Sequence, residues 1–380
     1  MATYLEDLET PVPVVDMERM AQTLDRMAAY TVLHGLSLRP HVKTHKSPRI
    51  AAEQLRLGAV GLTCATMREA ELMSEVSSDL LLAYPPVGAA RLERIARMPD
   101  DVLISVAADD PDSLEALAFA ARVGQRNINV RVETDLGMRR VGVSSTDRVV
   151  AMARQIDRTP GLEFEGLQFY PGHIRSTIAH QGPSIKAASE RLEEFLSALN
   201  EAGFDSRVVS GGSTPAAWRM HEIPAVTEVR PGTYVYNDRS TAALGACDDE
   251  DCALTVLATV VSVAVSNQAV VDAGTKSLGR EPLAGGGSGY ASVLDHPEVL
   301  VTRMSEEHGI LDLSNSAWRP RLGEQVRLVP NHVCIVVHLF DAIMGVRGDT
   351  VETHWPVAAR GRASELDPDI LPPSVRPRVI

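Results

Sequence analysis

The chain has 380 residues, of which 44% are hydrophobic and 23% charged, with a formal net charge of -13 and a pI near 5.3. This composition is typical of a soluble globular protein, and the acidic balance argues against general nucleic-acid binding, which needs a basic surface. Four cysteines are too few for a disulfide scaffold, and the acidic N-terminus lacks an apolar signal core. No apolar run approaches the roughly 18 residues of a membrane span. We therefore expect a cytoplasmic protein that binds neither nucleic acid nor membrane.

Short strand-like segments alternate with helical patterns over the first two thirds of the chain. The predicted strands are 38–43, 59–64, 79–83, 102–106, 127–133, 163–170, 206–210 and 225–230. The first helical segment opens with Ser47 and Pro48, a good N-cap followed by proline at the first helical position. Eight strands with helical connections predict a closed (β/α)8 barrel. No G-x-G-x-x-G turn follows the first strand, which disfavours an open dinucleotide-binding sheet.

The pattern changes near residue 245. The segments "CALTVLATVVSVAV", "QAVVDAG", "EQVRLVP" and "HVCIVVHLF" are all strand-like, with little helical pattern between them. They predict a second, mainly β domain. The segment "CDDEDC", from Cys247 to Cys252, is predicted to be an acidic surface loop.

Candidate reactive and phosphate-binding residues follow the predicted barrel strands, at the end where barrel enzymes place their active sites. Lys43 ends the first strand, "MRRVGV" follows the fifth and "FYPGHI" follows the sixth. After the seventh and eighth strands, "SGGST" and "RPGT" supply glycines, hydroxyls and backbone N–H groups suited to a phosphate. A lysine, a phosphate cradle and a convergent arginine together indicate pyridoxal 5'-phosphate (PLP), with Lys43 as the Schiff-base lysine. Each feature alone is more often structural, so the prediction depends on their order along the chain.

His332 and Cys334, two positions apart in "NHVC", form the candidate metal site. Residues two apart on a strand share a face, and imidazole and thiolate are good ligands for a divalent ion, zinc above all. Two protein ligands leave open positions for substrate and water, as in catalytic sites. The alternative is a buried apolar cysteine beside a structural histidine. His338 and Asp341 are candidates for contacts that support the two ligands.

These motifs resemble those of the D-threonine aldolase and eukaryotic-type D-serine dehydratase family, PLP enzymes with an alanine racemase-like fold. The resemblance runs from "LETPVPVVD" through "RPHVKTHKS" to "PNHVC", and so covers nearly the whole chain. It implies a PLP-binding barrel over 20–244 and a β-rich domain, formed by 1–19 and 245–380, that carries the metal site. It also implies a homodimer and a small D-amino acid substrate.

The resemblance further implies roles for individual residues. Lys43 occupies the Schiff-base position of "RPH-x-K-x-HK", Arg140 lies where an arginine approaches the cofactor's phenolic oxygen, and Arg230 lies opposite the pyridine nitrogen. The predicted cofactor-binding set is Lys43, Arg140, Tyr170, Ser210, Gly212, Ser213, Thr214, Arg230, Gly232 and Thr233. The predicted catalytic set is Lys43, Tyr170 and His173, and the predicted ligands of a zinc, manganese or magnesium ion are His332 and Cys334.

A lyase acting on D-3-hydroxy amino acids is the function that the resemblance implies, and two reactions stay open. In retro-aldol cleavage a base, Tyr170 or His173, takes the β-hydroxyl proton, and the Cα–Cβ bond breaks to give glycine and an aldehyde. In dehydration Lys43 takes the α-proton and the hydroxyl leaves, giving a 2-oxo acid and ammonia from a substrate such as D-serine or D-3-hydroxyaspartate. We expect cleavage of D-threonine-like substrates first and dehydration second. Cys334 is the residue type of the dehydratases, whereas the aldolases often carry an aspartate there.

Two other function classes are weaker alternatives. A non-catalytic PLP carrier would need Lys43 and the phosphate cradle, but it has no use for a β domain or for "HVC". A racemase normally needs a second base, typically a tyrosine from the β domain, and Tyr290 is the only tyrosine after residue 245.

Overall fold

The computed structural model describes residues 3–361, and its first part is a barrel of eight parallel strands. The first ten strands in chain order are β1 (Thr3–Tyr4), β2 (Val12–Asp16), β3 (Ser37–Leu38), β4 (Leu62–Cys64), β5 (Asp79–Leu82), β6 (Leu103–Ala108), β7 (Ile128–Glu133), β8 (Leu162–Gln168), β9 (Val208–Gly211) and β10 (Glu228–Val229). The last eight of these, β3 to β10, form the barrel. The barrel order is β3-β10-β9-β8-β7-β6-β5-β4. A parallel bridge between His41 and Thr63 joins its two ends, and the Val42 N–H donates to the Thr63 carbonyl at 2.9 Å. These bonds close the barrel.

Helices connect the barrel strands and cover its outside. They are α1 (Met17–Leu33), α2 (Pro48–Arg56), α3 (Met67–Met73), α4 (Ala89–Ala96), α5 (Pro111–Val123), α6 (Thr146–Arg158), α7 (Gly182–Glu201), α8 (Thr214–Ala217) and α9 (Arg239–Ala243). Side-chain caps explain where several begin: Asp16 accepts from the backbone of α1, and Asp110 accepts from that of α5. In α7 the buried side chains recur every three or four positions, as a helix packed on one face requires. Within the described residues, no helix combines the length and the apolar character that crossing a bilayer demands.

The barrel interior holds a buried ionic cluster centred on Glu228. Its carboxylate accepts from Arg39 Nε at 2.7 Å, from an Arg131 guanidinium N–H, and from the Ser210 hydroxyl. Burial by itself raises the pKa of Glu228, but the positive charges of Arg131 and Arg39 lower that pKa to about 2. The cluster ends at Arg230, whose guanidinium donates to Ser210 Oγ. The barrel core therefore holds Arg230 in a defined direction.

The second part of the chain forms a mainly antiparallel ten-stranded sheet. Its strands include β11 (Leu254–Ser262), β12 (Gln268–Val271), β13 (Ala291–Val293), β14 (His296–Met304), β15 (Gly309–Asp312), β16 (Gln325–Pro330), β17 (Ala342–Arg347) and β18 (Thr350–Pro356), with the short helices α10 (Thr275–Leu278) and α11 (Val333–Leu339). The N-terminal strands β1 and β2 complete it, because β1 pairs with β18 and β2 lies between β17 and β11. The predicted fold class, a (β/α)8 barrel with a mainly β C-terminal part, is confirmed.

The division of the chain into 20–244 and 1–19 with 245–380 stays a prediction. Of these ranges, residues 1–2 and 362–380 lie outside the described residues.

Two of the differences between predicted and observed strands change the position of site residues. The predicted strand 38–43 is regular only at Ser37–Leu38, so Lys43 lies in a turn beyond it and not in the strand. Proline at position 40 contributes to this early end, because it has no N–H to donate to a ladder. The predicted strand "HVCIVVHLF" is wrong, since this segment forms helix α11 with His332 as its N-cap residue.

Candidate active site

A cavity of about 750 Å3 opens at the carboxyl ends of the barrel strands. This is the face where barrel enzymes carry their active sites. The predicted site residues that line it are Lys43, Arg140, Tyr170, Gly212, Ser213, Thr214, Arg230, Gly232, Thr233 and His332. Three predicted site residues are not part of the lining: Ser210, His173 and Cys334.

Lys43 is half-buried in the cavity wall and has no carboxylate partner among residues 3–361. Its Nζ lies 5.8 Å from the centroid of the Tyr170 ring. Lys46, three residues later, is different: it is buried and ion-paired with Glu69. His41 lies beside Lys43, and burial together with the charges of Lys43 and Arg230 holds the pKa of His41 well below its ordinary value. Of the two lysines in "KTHK", Lys43 is therefore the one available for chemistry.

Tyr170 lines the cavity together with two cations, Lys43 and Arg140. The Arg140 guanidinium carbon is 4.7 Å from the ring centroid, within cation–π range. His173, three residues after Tyr170, is exposed and packs toward Gly137, where an added Cβ would lie 3.0 Å from its Nε2. The structure thus brings Tyr170 and Arg140 to the cavity but leaves His173 outside its lining. The catalytic role predicted for His173 stays a prediction.

Arg230 is buried at the floor of the cavity. Besides Ser210 Oγ, its guanidinium donates to the Phe169 carbonyl at 2.9 Å. Burial lowers the pKa of Arg230 to about 10, while the nearby carboxylates of Glu133 and Glu228 act in the opposite direction. Arg230 therefore keeps its proton at neutral pH, and Ser210 serves to orient it.

The turns after β9 and β10 contain backbone N–H groups without acceptors. Those of Gly212, Ser213 and Gly232 donate no hydrogen bond to any of the described residues, and all three residues are buried. Buried N–H groups are nearly always paired, so this wall of the cavity is suited to an anionic ligand such as a phosphate. Gly232 is required by the close approach, because a Cβ there would lie 2.9 Å from Thr44 Oγ1.

His332 and Cys334 are brought together by the first turn of α11 and not by a strand. Cys334 Sγ lies 3.2 Å from Thr44 Oγ1, and the imidazole and the thiol are near enough to shift each other's pKa. Cys334 and Asp238 raise the pKa of His332 to about 11. Burial raises the pKa of Cys334, but His332 and Lys43 outweigh it and bring the pKa to about 7. A thiol so easily ionised beside an imidazole suits a divalent ion.

The support predicted for these two ligands from His338 and Asp341 stays a prediction. Both side chains are exposed, and Asp341 is paired with Arg360. A contact to His332 that the structure does have comes from Asp238, whose Oδ2 lies 3.2 Å from His332 Nδ1. No group of three or more histidine, cysteine or acidic side chains arranged for a metal occurs within residues 3–361. The candidate metal site stays the predicted pair, His332 and Cys334.

Sequence reasoning missed four residues of this site: His41, Thr44, Glu133 and Asp238. His41 and Thr44 lie within the quoted "RPHVKTHK" motif and were reachable from it. Glu133 ends β7, and burial raises the pKa of its carboxyl group. Asp238 precedes "RST" as a helix N-cap, a pattern that predicts a cap but not a contact with a residue 94 positions away.

Family models match most of the chain. "Alanine racemase, N-terminal domain" matches residues 15–240, and "Putative serine dehydratase domain" matches residues 253–346. D-threonine aldolase of Arthrobacter sp. is 32% identical, over 94% of this chain and 94% of its own length. The chain belongs to the family of D-threonine aldolase and the related D-serine dehydratases. D-threo-3-hydroxyaspartate dehydratase of Delftia sp. (strain HT23) is likewise 32% identical, over 93% of this chain and 98% of that protein.

Solved structures of the family have the same fold. The crystal structure of D-threonine aldolase from Filomicrobium marinum superposes with a TM-score of 0.86 at 32% identity, covering 95% of this chain and 98% of that one. A D-threo-3-hydroxyaspartate dehydratase mutant with a cysteine replaced by alanine, in the metal-free form, superposes with a TM-score of 0.85 at 30% identity, covering 95% and 100%. The family to which the chain belongs is thus one of lyases, and both the predicted aldolase activity and the alternative dehydratase activity fit it.

Proposed function

We propose that the protein is a PLP- and divalent-metal-dependent lyase that cleaves D-3-hydroxy amino acids, D-threonine-like substrates above all, to glycine and an aldehyde. One observation carries the proposal: Lys43, without a carboxylate partner among residues 3–361, lines the same cavity as three buried backbone N–H groups that are unpaired within those residues. An aldehyde cofactor with a phosphate needs both. The relatives named D-threonine aldolase and 3-hydroxy-D-aspartate aldolase support this reaction.

The cavity residues fit PLP in the following way. PLP supplies an electron sink for the negative charge that develops at Cα when a bond to that carbon breaks. The Lys43 amine would hold its aldehyde carbon, and the N–H groups of Gly212, Ser213 and Gly232, with the hydroxyls of Ser213, Thr214 and Thr233, would bind its phosphate. Arg140 would contact the phenolic oxygen. Arg230, held through Ser210 and still protonated at neutral pH, would donate to the ring nitrogen, which then stays unprotonated.

His332 and Cys334 would hold the divalent ion, be it zinc, manganese or magnesium. Such an ion supplies Lewis acidity at the β-oxygen of the substrate. His332 lowers the pKa of Cys334, which favours the thiolate that a metal needs. A family member with a cysteine replaced by alanine has been solved in a metal-free form, which supports metal use in the family.

Proton transfer falls to the side chains around the cavity. Tyr170 is our first choice for the group that takes the β-hydroxyl proton, because it lines the cavity beside Lys43 and Arg140. His173 is second, since reaching the cavity would require its side chain to turn away from Gly137. Lys43 is the group available to move the α-proton.

Dehydration is the second candidate, favoured by one relative. The dehydratase of Delftia sp. matches this chain as closely as the aldolase of Arthrobacter sp., at 32% identity each. In that case Lys43 takes the α-proton, and the hydroxyl leaves from a substrate such as D-serine or D-3-hydroxyaspartate.

Product analysis separates the two reactions. Purified protein with PLP and zinc or manganese is incubated with D-threonine, L-threonine and D-3-hydroxyaspartate. Cleavage of D-threonine gives acetaldehyde and glycine, whereas dehydration gives 2-oxobutanoate and ammonia. We expect acetaldehyde from D-threonine and none from L-threonine, and loss of either product with a chelator. If no D-3-hydroxy amino acid gives either product, both reactions are wrong. A homodimer and a cytoplasmic location are further parts of the proposal, the first testable by sedimentation.

A further inference from the structure

Asp238 is a fully buried carboxylate that touches both parts of the molecule. Its Oδ1 accepts from the Thr241 backbone N–H at 2.8 Å and from the Thr241 hydroxyl at 3.0 Å. Its Oδ2 lies 3.2 Å from His332 Nδ1 and accepts from the Val333 N–H at 3.1 Å. A single side chain thus caps α9 and the first turn of α11 at the same time, and it engages one nitrogen of His332.

This arrangement constrains the imidazole. A carboxylate only accepts hydrogen bonds, so the His332 nitrogen that faces it must be Nδ1–H. The remaining nitrogen, Nε2, is then the one with a lone pair when the ring is neutral. Rotation of the ring would break this bond. The same carboxylate oxygen also accepts from the Val333 N–H, which fixes the backbone next to His332.

We propose that Asp238 is a positioning residue that fixes the tautomer and direction of His332, so that Nδ1 carries the proton and Nε2 is presented to the metal. The inference rests on the metal pair of the proposed function and adds a residue that acts on the metal only through His332. Outer contacts of this kind typically change metal affinity by about 10–100-fold.

Asparagine is a sharp probe because it keeps the shape of Asp238 but has one acceptor side only. With the amide oxygen toward Thr241, the amide NH2 faces His332 Nδ1 and favours the wrong tautomer, with the proton on Nε2. With the oxygen toward His332, the NH2 meets the Thr241 N–H. The donors on both sides of Asp238 cannot be satisfied at once by an amide.

The first experiment measures zinc affinity in the metal-free full-length protein by competition with a chromophoric chelator. The variants are Asp238→Asn and, as a matched control, Thr241→Val, which disturbs the same carboxylate on the side away from His332. We expect zinc affinity about 10–100-fold weaker in Asp238→Asn and within about twofold of wild type in Thr241→Val. Equal zinc affinity in wild type and Asp238→Asn overturns the inference. So does an equal loss in both variants, since that indicates a capping role alone.

A second measurement determines the tautomer of His332 in the wild-type protein itself. Long-range 1H–15N spectra of zinc-loaded wild-type protein, labelled with 15N-histidine, report which nitrogen of His332 carries the proton; the His332 signals are those absent in His332→Gln. We expect the proton on Nδ1 and zinc on Nε2, and the reverse overturns the inference. If the wild-type protein itself binds no zinc, the metal part of the proposed function is wrong. A failure of the inference alone leaves wild-type zinc binding intact.

Discussion

The ammonium group of Lys43 lies 5.8 Å from the centre of the Tyr170 ring and has no carboxylate partner in the described chain. Lys46, one turn of chain later, donates to Glu69 in a buried pair. The two lysines of one motif therefore have different surroundings. Lys46 is buried in an ion pair, whereas Lys43 lines a cavity that is suited to a phosphate.

Replacing Lys46 tests whether its ion pair with Glu69 stabilises the fold. Lys46→Met leaves the Glu69 carboxylate buried without its partner, so we expect the free energy of unfolding to fall by about 3–5 kcal/mol. Urea denaturation followed by circular dichroism measures it. At low temperature, where the variant is still folded, we expect PLP to bind and colour it as in wild type. An unchanged midpoint would contradict the structural role, and a colourless folded variant would contradict the assignment of the cofactor to Lys43.

Replacing Tyr170 and His173 separately identifies the β-hydroxyl base. We expect Tyr170→Phe to lower kcat for D-threonine cleavage by about 10^2–10^4-fold, the usual contribution of a general base. His173→Asn should keep kcat within about threefold, because its side chain is exposed and outside the cavity lining. The opposite ranking would move the base role to His173. Cofactor absorbance of each variant serves as the control for intact PLP binding.

Replacing Cys334 tests whether its thiol is a metal ligand. Cys334→Ser replaces a thiolate with a weak hydroxyl ligand, and we expect bound zinc after dialysis to fall by at least about tenfold. Cys247→Ser is the control, since Cys247 is a partly buried cysteine outside the cavity lining. Zinc content measured by plasma mass spectrometry compares the two. Full zinc occupancy in Cys334→Ser would exclude Cys334 as a ligand.

Acid should remove the stabilisation that comes from Glu228. The pKa of its carboxyl group is about 2 in the folded protein, below the ordinary value of about 4.3. A lowered pKa means that the stabilisation is complete above pH of about 4.3 and is lost as the pH falls toward 2. At pH 7, Glu228→Gln leaves Arg131 and Arg39 without this charge, and we expect it to lower the free energy of unfolding by about 3–5 kcal/mol.

The difference between wild type and Glu228→Gln should therefore narrow as the pH falls from about 4.3 to 2. Urea unfolding at a series of pH values measures it. If the difference stays constant down to pH 2, Arg131 and Arg39 do not lower the pKa of Glu228.

Much of the barrel could be predicted from sequence, because its signals are local. The predicted strand 127–133 corresponds to Ile128–Glu133, all of it buried, and the predicted strand 79–83 to Asp79–Leu82. Parallel barrel strands are buried on both faces and appear as short apolar runs between helical patterns. Residues that follow such strands could be assigned to the same end of the barrel. Ten of the predicted site residues do line one cavity.

The wrong or missing predictions concern residues whose structure depends on contacts with distant parts of the chain. "HVCIVVHLF" is rich in β-branched residues and predicts a strand. In the structure Val333, Val336 and Val337 are buried at helical spacing, and Asp238 caps the start of the helix. Asp238 itself has no local signal for its role, since its partner His332 is 94 positions away. Contacts of this kind follow from the fold and cannot be obtained from spacing.

The measurement that tests the account most directly is the site of attachment of PLP. The protein is loaded with PLP, reduced with borohydride, digested and mapped by mass spectrometry, with Lys43→Ala as the control. We predict a pyridoxyl group on Lys43 and no stable label in the variant. A label on Lys46 or on any other lysine of the wild-type protein, or a protein that stays colourless with PLP, would contradict the central claim.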